Sequence, residues 1–322
     1  MGRCVLGIDL GGTKVSAAVL DPHCRIVGRA RAKTKAWRND EEVFATIALT
    51  GRQAIERAGL QPSDLAAVGI GAPGPLDPDS GYIIESANLQ FRNFPLGPRL
   101  SREFGVAAIV ENDVNAGVYG EFNAGAGRGS RDLLGVFVGT GIGGGLILGG
   151  TLYRGSSKNA GEVGHIIINA GGPRCGCGNR GCLEALASRV AITRDVRSAI
   201  KRGRKTVLAR DLKNETDLLS SQMLKSAYDK GDAVGVKVIN RSARSLGAGL
   251  GSLVNLLGPE MIILGGGLIE AMGSEFIKRI DRATRKVAFE SCARDLKIVK
   301  AELGDDAGVI GAALLAREAI SF

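Results

Sequence analysis

Apolar residues along this chain follow two rhythms. Residues 5–10 and 15–20 are short apolar runs separated by Gly11-Gly12-Thr13-Lys14 and followed by the turn pair Asp21-Pro22. That spacing predicts a β-hairpin with a glycine-rich tip. Residues 41–58 instead carry Val43, Ile47, Ala54 and Ile55 at the interval of one helix face, while 66–70 and 107–110 are short runs of the buried-strand kind. Further on, residues 232–257 set Val234, Val238, Leu246, Leu250 and Leu257 on one side of a long helix. Residues 261–264 then predict a strand that ends in Gly265-Gly266-Gly267. The pattern as a whole is mixed α/β.

The first hairpin has an echo. Residues 6–20 align without a gap on residues 134–148, with strand, glycine turn and strand in the same places. Two related halves, each opening with a glycine-tipped hairpin, are the expectation. A length of 322 residues is enough for two domains with cores of their own. We expect a smaller α/β domain from residues 1–114 plus 304–322, and a larger one from 115–303.

Composition changes the picture in two places. The 48 glycines fall in short clusters behind apolar runs, where they let the backbone turn sharply or approach a ligand, and not in a collagen-like repeat. The net charge is +9, of which residues 186–213 supply +7, from nine Lys/Arg against two Asp/Glu. Arg194, Arg197 and Lys201 share one helical face and Val196 and Ile200 another. An amphipathic helix with a solvated basic side accounts for this, and a site for polyphosphate or nucleic acid is the sharper alternative. No aromatic residue interleaves the run, so a platform for stacking bases is missing there. No window reaches the ~18 consecutive apolar residues of a membrane span, and the start runs straight into a strand without a signal-peptide core. A cytoplasmic protein without a membrane partner is expected.

Gly139-Thr140-Gly141-Ile142-Gly143-Gly144 fits the spacing of a dinucleotide fingerprint. That fingerprint requires a helix to begin at its last glycine, and here the chain continues as a strand, so the reading fails. What remains is a pair of hairpin tips whose backbone N–H groups and threonine hydroxyls can hold phosphate oxygens from two sides. Either tip alone is equally well a plain tight turn; both in register favour phosphate. Asp9, on the first hairpin, is placed to hold the magnesium of a nucleotide, usually through water.

The most specific pattern is His165 followed by Cys175-Gly-Cys177-Gly-Asn-Arg-Gly-Cys182. One imidazole and three thiolates form a closed zinc set, and the glycines let the loop fold tightly around the ion. A filled coordination shell leaves no position for water, so this zinc is expected to be structural. Cys4, Cys24 and Cys292 read as packing residues.

The Asp9 hairpin, Gly69-Ile-Gly-Ala-Pro-Gly-Pro, Glu111-Asn-Asp-Val-Asn115, the 139–145 turn, Gly161-Glu-Val-Gly-His165 and the cysteine loop through Glu184 together resemble the ROK family of sugar kinases and sugar-responsive repressors. The resemblance runs from near residue 5 to the last helix and is nearest to the zinc-containing glucokinases. It implies a two-domain actin-like ATPase (ribonuclease-H-like) fold with ATP and a hexose meeting in a central cleft, and a homodimer or homotetramer. It makes Asp113 the general base for the sugar's 6-hydroxyl, where residue pattern alone also allows a polar turn or helix cap. Asn88, Asn112, Glu162, His165 and Glu184 match positions that hydrogen-bond sugar hydroxyls, alongside Asp113. Asp9, Gly11, Gly12, Thr13 and Lys14, then Thr140, Gly141, Gly143 and Gly144, then Gly265 and Gly266, are the expected ATP-binding residues.

Two functions of different class share this core. One is a kinase moving the γ-phosphoryl of ATP to O6 of glucose or a related hexose, N-acetylglucosamine, N-acetylmannosamine and fructose being the alternatives. The other is a sugar-sensing repressor. The first hairpin begins within ten residues of Met1, which leaves a repressor only the basic helix to read DNA with, so the kinase is favoured and nucleic acid is not an expected partner. Closure on sugar would hinge near residues 112–117 and near Gly304.

Overall fold

The computed structural model describes residues 3–34, 39–86 and 89–320. Its first sheet runs in the order β3-β2-β1-β4-β8, from Cys4–Leu10 (β1), Lys14–Leu20 (β2), Ile26–Lys33 (β3), Leu65–Ala72 (β4) and Ala107–Asn112 (β8). β1 and β2 pair antiparallel with Asp9 opposite Ser16 and Leu10 opposite Val15, which is the expected glycine-tipped hairpin. β4 joins β1 in parallel, and β8 joins β4 likewise. A small sheet of Leu76–Asp77 (β5), Tyr82–Ser86 (β6) and Phe91–Phe94 (β7) stands between them in sequence.

The second five-stranded sheet has the order β11-β10-β9-β12-β13, from Leu133–Val138 (β9), Ile142–Leu148 (β10), Thr151–Tyr153 (β11), Met261–Gly265 (β12) and Lys297–Lys300 (β13). β9 and β12 are parallel, as are β12 and β13, and β10 and β11 are antiparallel. Strand for strand this repeats the connectivity of the first sheet, so the internal similarity of residues 6–20 and 134–148 reflects a repeated architecture.

The helices lie where periodicity and caps place them. Asn39 Oδ1 accepts from the Glu42 N–H at 2.9 Å and starts the helix Asp40–Arg57, whose buried face is Val43, Phe44, Ile47, Ala54 and Ile55. Asp232 caps Ala233–Leu257, accepting from Gly235 N at 2.8 Å. The helix Arg189–Lys201 buries Ala191, Ile192, Thr193, Val196 and Ala199, as its amphipathic pattern requires. Its basic residues are less free than a solvated face implies. Arg194 bonds the Ala185 carbonyl at 2.9 Å and Arg197 the Asp217 carbonyl at 2.6 Å. Cys24 does not pack in a core as expected; it is exposed, with a φ of 63°, in the turn after β2.

The chain divides into two compact units. The first comprises Met1–Gly129, Gly145–Gly161 and Glu302–Phe322, and the second Ser130–Gly144 and Glu162–Ala301. The first unit therefore retains the helix Asp113–Ala124, which the sequence boundary at 114 assigns elsewhere. The physical reason is close packing on the helix Ala307–Ala319: a Cβ on Gly311 would lie 1.7 Å from the Ala116 carbonyl, and one on Gly120 2.4 Å from that of Ala307. Tyr119 Oη also donates to Glu318 at 2.8 Å. The core of this unit joins Leu6, Ile8 and Leu10 to Ile47, Ile55, Val68 and Ile70. In the second unit Leu134, Val136, Ile262, Ile263 and Leu246 are fully or almost fully buried.

Candidate active site

In the first unit β1 carries Asp9 to its end, where the chain turns. The tip is braced from the side by Thr34, whose hydroxyl donates to the Gly11 carbonyl at 2.6 Å and whose N–H bonds the Thr13 carbonyl at 3.0 Å. A Cβ on Gly12 would meet nothing within 4 Å. The fold therefore does not require glycine there, whereas a ligand that approaches the backbone would.

The Asp9 carboxylate sits over the first turn of the helix Ala307–Ala319, where a Cβ on Gly308 would lie 2.8 Å from Asp9 Cγ. Burial raises its pKa to about 6, the Asp113 carboxylate adds to the rise, Lys14 and Arg31 oppose it, and Asp305 adds to it. Lys14 Nζ is 3.0 Å from Asp305 Oδ2, which holds the Asp305 carboxyl below its usual range. Two acids distant in sequence, Asp9 and Asp113, are thus neighbours in one unit.

Asp113 is the first residue of its helix, and its Oδ1 accepts from the Val114 N–H at 2.9 Å. Asn112 is the cap: its Oδ1 accepts from Val114 N at 3.0 Å and Asn115 N at 3.1 Å. The cap and the catalytic readings of Asn112-Asp113 are therefore compatible, because the cap uses the amide oxygen of Asn112 and leaves its Nδ2 able to donate. Beneath them Glu111, 2 % exposed, binds Arg154 Nε at 2.6 Å and Asn115 Nδ2 at 3.0 Å. Asn88 lies outside the described residues.

In the second unit His165, Cys175, Cys177 and Cys182 converge, with all four ligand atoms within 4.8 Å of one another. In a zinc tetrahedron with bonds of about 2.3 Å to sulfur and 2.0–2.1 Å to nitrogen, two sulfurs stand about 3.8 Å apart and a sulfur and a nitrogen about 3.5 Å. Cys177 Sγ and Cys182 Sγ are 3.7 Å apart, and Cys175 Sγ and His165 Nδ1 are 3.6 Å apart. The donor set fits the metal. Burial pushes the Cys182 thiol up to about 12, a cost that a bound dication reverses by favouring thiolate. With Nδ1 turned to the sulfurs, His165 Nε2 faces Glu162, 4.0 Å from its Oε2.

Glu184 follows the loop in the helix Leu183–Ala187 and connects it to the second glycine turn. Its Oε2 accepts from the Ile142 N–H at 2.9 Å, and its Oε1 lies 3.8 Å from Cys175 Sγ. In that turn Thr140 Oγ1 accepts from Arg189 Nη2 at 2.5 Å, and the Arg189 N–H bonds the Gly139 carbonyl at 3.0 Å. Gly143 and Gly144 lie within β10. Gly265 and Gly266 have a packing reason for their identity: a Cβ on the first would press on the Phe137 ring at 2.7 Å, and the second has a φ of 86°.

Three residues of the site, Glu111, Asp305 and Arg189, have no role assigned from the sequence, although Glu111 opens one of the motifs. Glu111 could have been found as an acid inside an apolar strand run, and Asp305 as an acid beside Gly304. Arg189 is hidden among the other basic residues of 186–213.

A hairpin followed by parallel strands, repeated in two sheets and carrying an aspartate at the end of the first strand, is the actin-like ATPase (ribonuclease-H-like) fold of the ROK sugar kinases. The sequence matches the ROK family over residues 5–319. It is 34% identical to a glucokinase of Halalkalibacterium halodurans over 98% of this chain and 96% of that protein. Among solved structures, the ROK hexokinase of Thermus thermophilus superposes with a TM-score of 0.84 at 33% identity, covering 98% of this chain and 99% of the other. A ROK glucokinase of Streptomyces griseus in complex with glucose and AMPPNP superposes at 0.82 with 34% identity, covering 98% and 99%. The chain belongs to the ROK family, on the side of its sugar kinases.

Proposed function

We propose that the protein is an ATP-dependent hexokinase that phosphorylates O6 of glucose or a related hexose, with Asp113 as general base. The observation that carries this reading is the placing of Asp113 beside Asp9 in the first unit, since Asp9 pairs with Gly71 across the parallel ladder and a Cβ on Gly71 would lie 3.2 Å from Asp113 Cα: an acid for the acceptor beside an acid for the cation of the nucleotide. The similarity to a glucokinase solved with glucose and a nucleotide analogue supports the choice of substrates.

Asp113 takes the proton of the 6-hydroxyl as O6 forms its bond to the γ-phosphorus of ATP, and the bond from that phosphorus to the bridging β–γ oxygen breaks to release ADP. Asp9 would hold the magnesium of the nucleotide, which when bound would supply charge neutralisation at the phosphates. Gly11, Gly12, Thr13 and Lys14 bind phosphate oxygens at the first turn, and Thr140, Gly141, Gly143 and Gly144 at the second, with Gly265 and Gly266 beside the nucleotide. Because Arg189 donates into Thr140 Oγ1, the hydroxyl hydrogen of Thr140 is directed elsewhere and is available to a phosphate.

Asn88, Asn112, Glu162, His165 and Glu184 bind the sugar hydroxyls. His165 does so through Nε2 while its Nδ1, with Cys175, Cys177 and Cys182, would hold zinc, whose bonds would fix the orientation of the imidazole. In this reading the protein works in the cytoplasm as a homodimer or homotetramer; the hinge expected near residues 112–117 and Gly304 falls inside the first unit, and the chain passes between the units at Gly129–Ser130 and Ala301–Glu302 instead.

The test is ADP release over glucose, mannose, fructose, N-acetylglucosamine and N-acetylmannosamine, repeated with Asp113→Asn. Glucose is expected to be the best acceptor, and the variant to lose at least ~10²-fold in kcat with sugar affinity retained. Near-normal kcat in the variant would remove Asp113 from the mechanism; no ADP release with any sugar would overturn the kinase reading.

A further inference from the structure

The excess of basic residues is not spent on the site described above. On the second unit, the long helix Ala233–Leu257 and the helix Ser274–Arg285 pack closely, since a Cβ on Gly247 would lie 2.2 Å from that of Ala283. Beside this contact lies a cavity of about 470 Å³ whose lining includes the small residues Ala243 and Ala283 and the cations Arg244, Arg279, Arg282, Arg285 and Lys286. No acid lines it.

The ion pairs of this region leave most of these charges without an acid of their own; Glu275, whose charge reaches Arg279 and Arg282, is itself paired with Lys278 at 2.7 Å. Arg285 pairs with Asp281 at 2.9 Å and also donates to the carbonyls of Ala293 and Leu296. Arg282 Nε bonds only the Lys278 carbonyl, and Arg279 lies over the Tyr228 ring at 6.0 Å. Among the described residues, Arg244, Arg279, Arg282 and Lys286 form no ion pair. Asn240 lines the same cavity, and its buried Oδ1 has no hydrogen-bond partner in the structure.

A second cavity, of about 430 Å³, is lined by Arg202, Arg204, Lys237 and Arg241, with Asp195 as its one acid. Asp195 is already paired, to Arg194 at 2.8 Å and Arg241 at 3.1 Å. Lys237, Arg241 and Arg244 stand at i, i+4 and i+7 on one helix face, so they link the two cavities over a rise of about 10 Å. The result is a basic track with two concave stretches.

We infer that this track binds a linear chain of phosphates, inorganic polyphosphate. A small anion would need one cavity, not two joined by a row of cations. Single-stranded nucleic acid would find no aromatic face for its bases in the lining of either cavity, and a duplex is too wide to enter cavities of about 430 and 470 Å³. A bare chain of phosphates asks only for closely spaced cations in a groove, and its affinity rests on release of counterions. The track contains none of the glycine turns, so it is a binding site separate from the phosphoryl donor site, and the inference does not depend on the proposed reaction.

The test is calorimetric titration of the intact protein with medium-chain inorganic polyphosphate, orthophosphate, tripolyphosphate and single-stranded oligo-dT, at two salt concentrations. The comparison is Arg244→Gln/Arg279→Gln/Arg282→Gln/Lys286→Gln, whose exposed side chains can change without disturbing the core; its melting temperature verifies the fold. Polyphosphate is expected to bind the parent protein, more tightly than tripolyphosphate and more weakly as salt rises, and the variant to lose at least tenfold in affinity. Absence of binding, equal binding by the variant, or oligo-dT binding as tight as polyphosphate overturns the inference, the last in favour of a nucleic-acid site.

Discussion

The Glu184 carboxylate accepts the Ile142 N–H at 2.9 Å, and a Cβ added to Gly141 would lie 2.4 Å from the same Glu184 oxygen. One carboxylate therefore ties the cysteine loop to the second glycine turn, and the glycine before Ile142 leaves room for it. Gly141→Ala should push Glu184 off this hydrogen bond. We expect sugar affinity to fall about tenfold, the size of a lost charge-assisted hydrogen bond. Glucose titration into the variant checks this; an unchanged Kd would separate Glu184 from the sugar.

Asp9 gives a stability prediction with a defined sign. Its pKa is about 6 in the folded protein, above the ordinary 3.8, mainly because it is buried. The folded state therefore holds the proton more tightly than the unfolded one. That contribution is fully present below pH 3.8 and is lost as pH rises through about 6. Asp9→Asn removes the cost of ionising the buried group. The variant should be more stable than the parent at pH 7, by on the order of 2–3 kcal/mol, with the gap closing towards pH 4. Melting temperatures across that range, without magnesium or nucleotide, measure it; a gap independent of pH would show that Asp9 ionises freely in the fold.

Zinc should be found at about one per chain by elemental analysis. Cys177→Ser should lose it, and with it the orientation of His165 and the loop leading to Glu184, while the first hairpin is untouched. Sugar affinity should drop by an order of magnitude or more, on the scale of losing a metal's supporting interactions, with nucleotide affinity nearly constant. A zinc-free variant with normal glucose binding would break the proposed link.

Two glycines of the first hairpin should behave oppositely. A Cβ on Gly7 would sit 1.9 Å from the Val309 carbonyl, whereas one on Gly12 meets nothing within 4 Å. Gly7→Ala is expected to destabilise the fold by roughly 3 kcal/mol or more, since backbone has to move. Gly12→Ala should leave stability within about 0.5 kcal/mol, as an unstrained surface change does, and weaken ATP binding. Chemical denaturation and nucleotide titration of the two variants check the contrast; a Gly12→Ala protein with full ATP affinity would argue for a plain turn at that tip.

Local features of the chain were readable from local rules. The hairpin of residues 5–20, the long helix after Asp232 and the convergence of His165 with Cys175, Cys177 and Cys182 each depend on spacing within a short stretch, where periodicity, turn residues and donor type carry the information. The repeat of residues 6–20 in 134–148 even disclosed that the second sheet copies the first. What spacing could not give was partnership across distance. That Asp113 raises the pKa of Asp9, that Arg189 holds Thr140, and that Glu111 is neutralised by Arg154 are decided by which strands and helices pack together. The boundary at Asp113–Ala124 followed the same logic: the residues after the Asn112 cap stay with the first unit because glycines let that helix settle against Ala307–Ala319. The sequence by itself determined the elements and the chemical donors, since those depend on neighbours along the chain. Only the tertiary structure decided which charges meet, because electrostatic and packing energies depend on distances in space that chain separation does not encode.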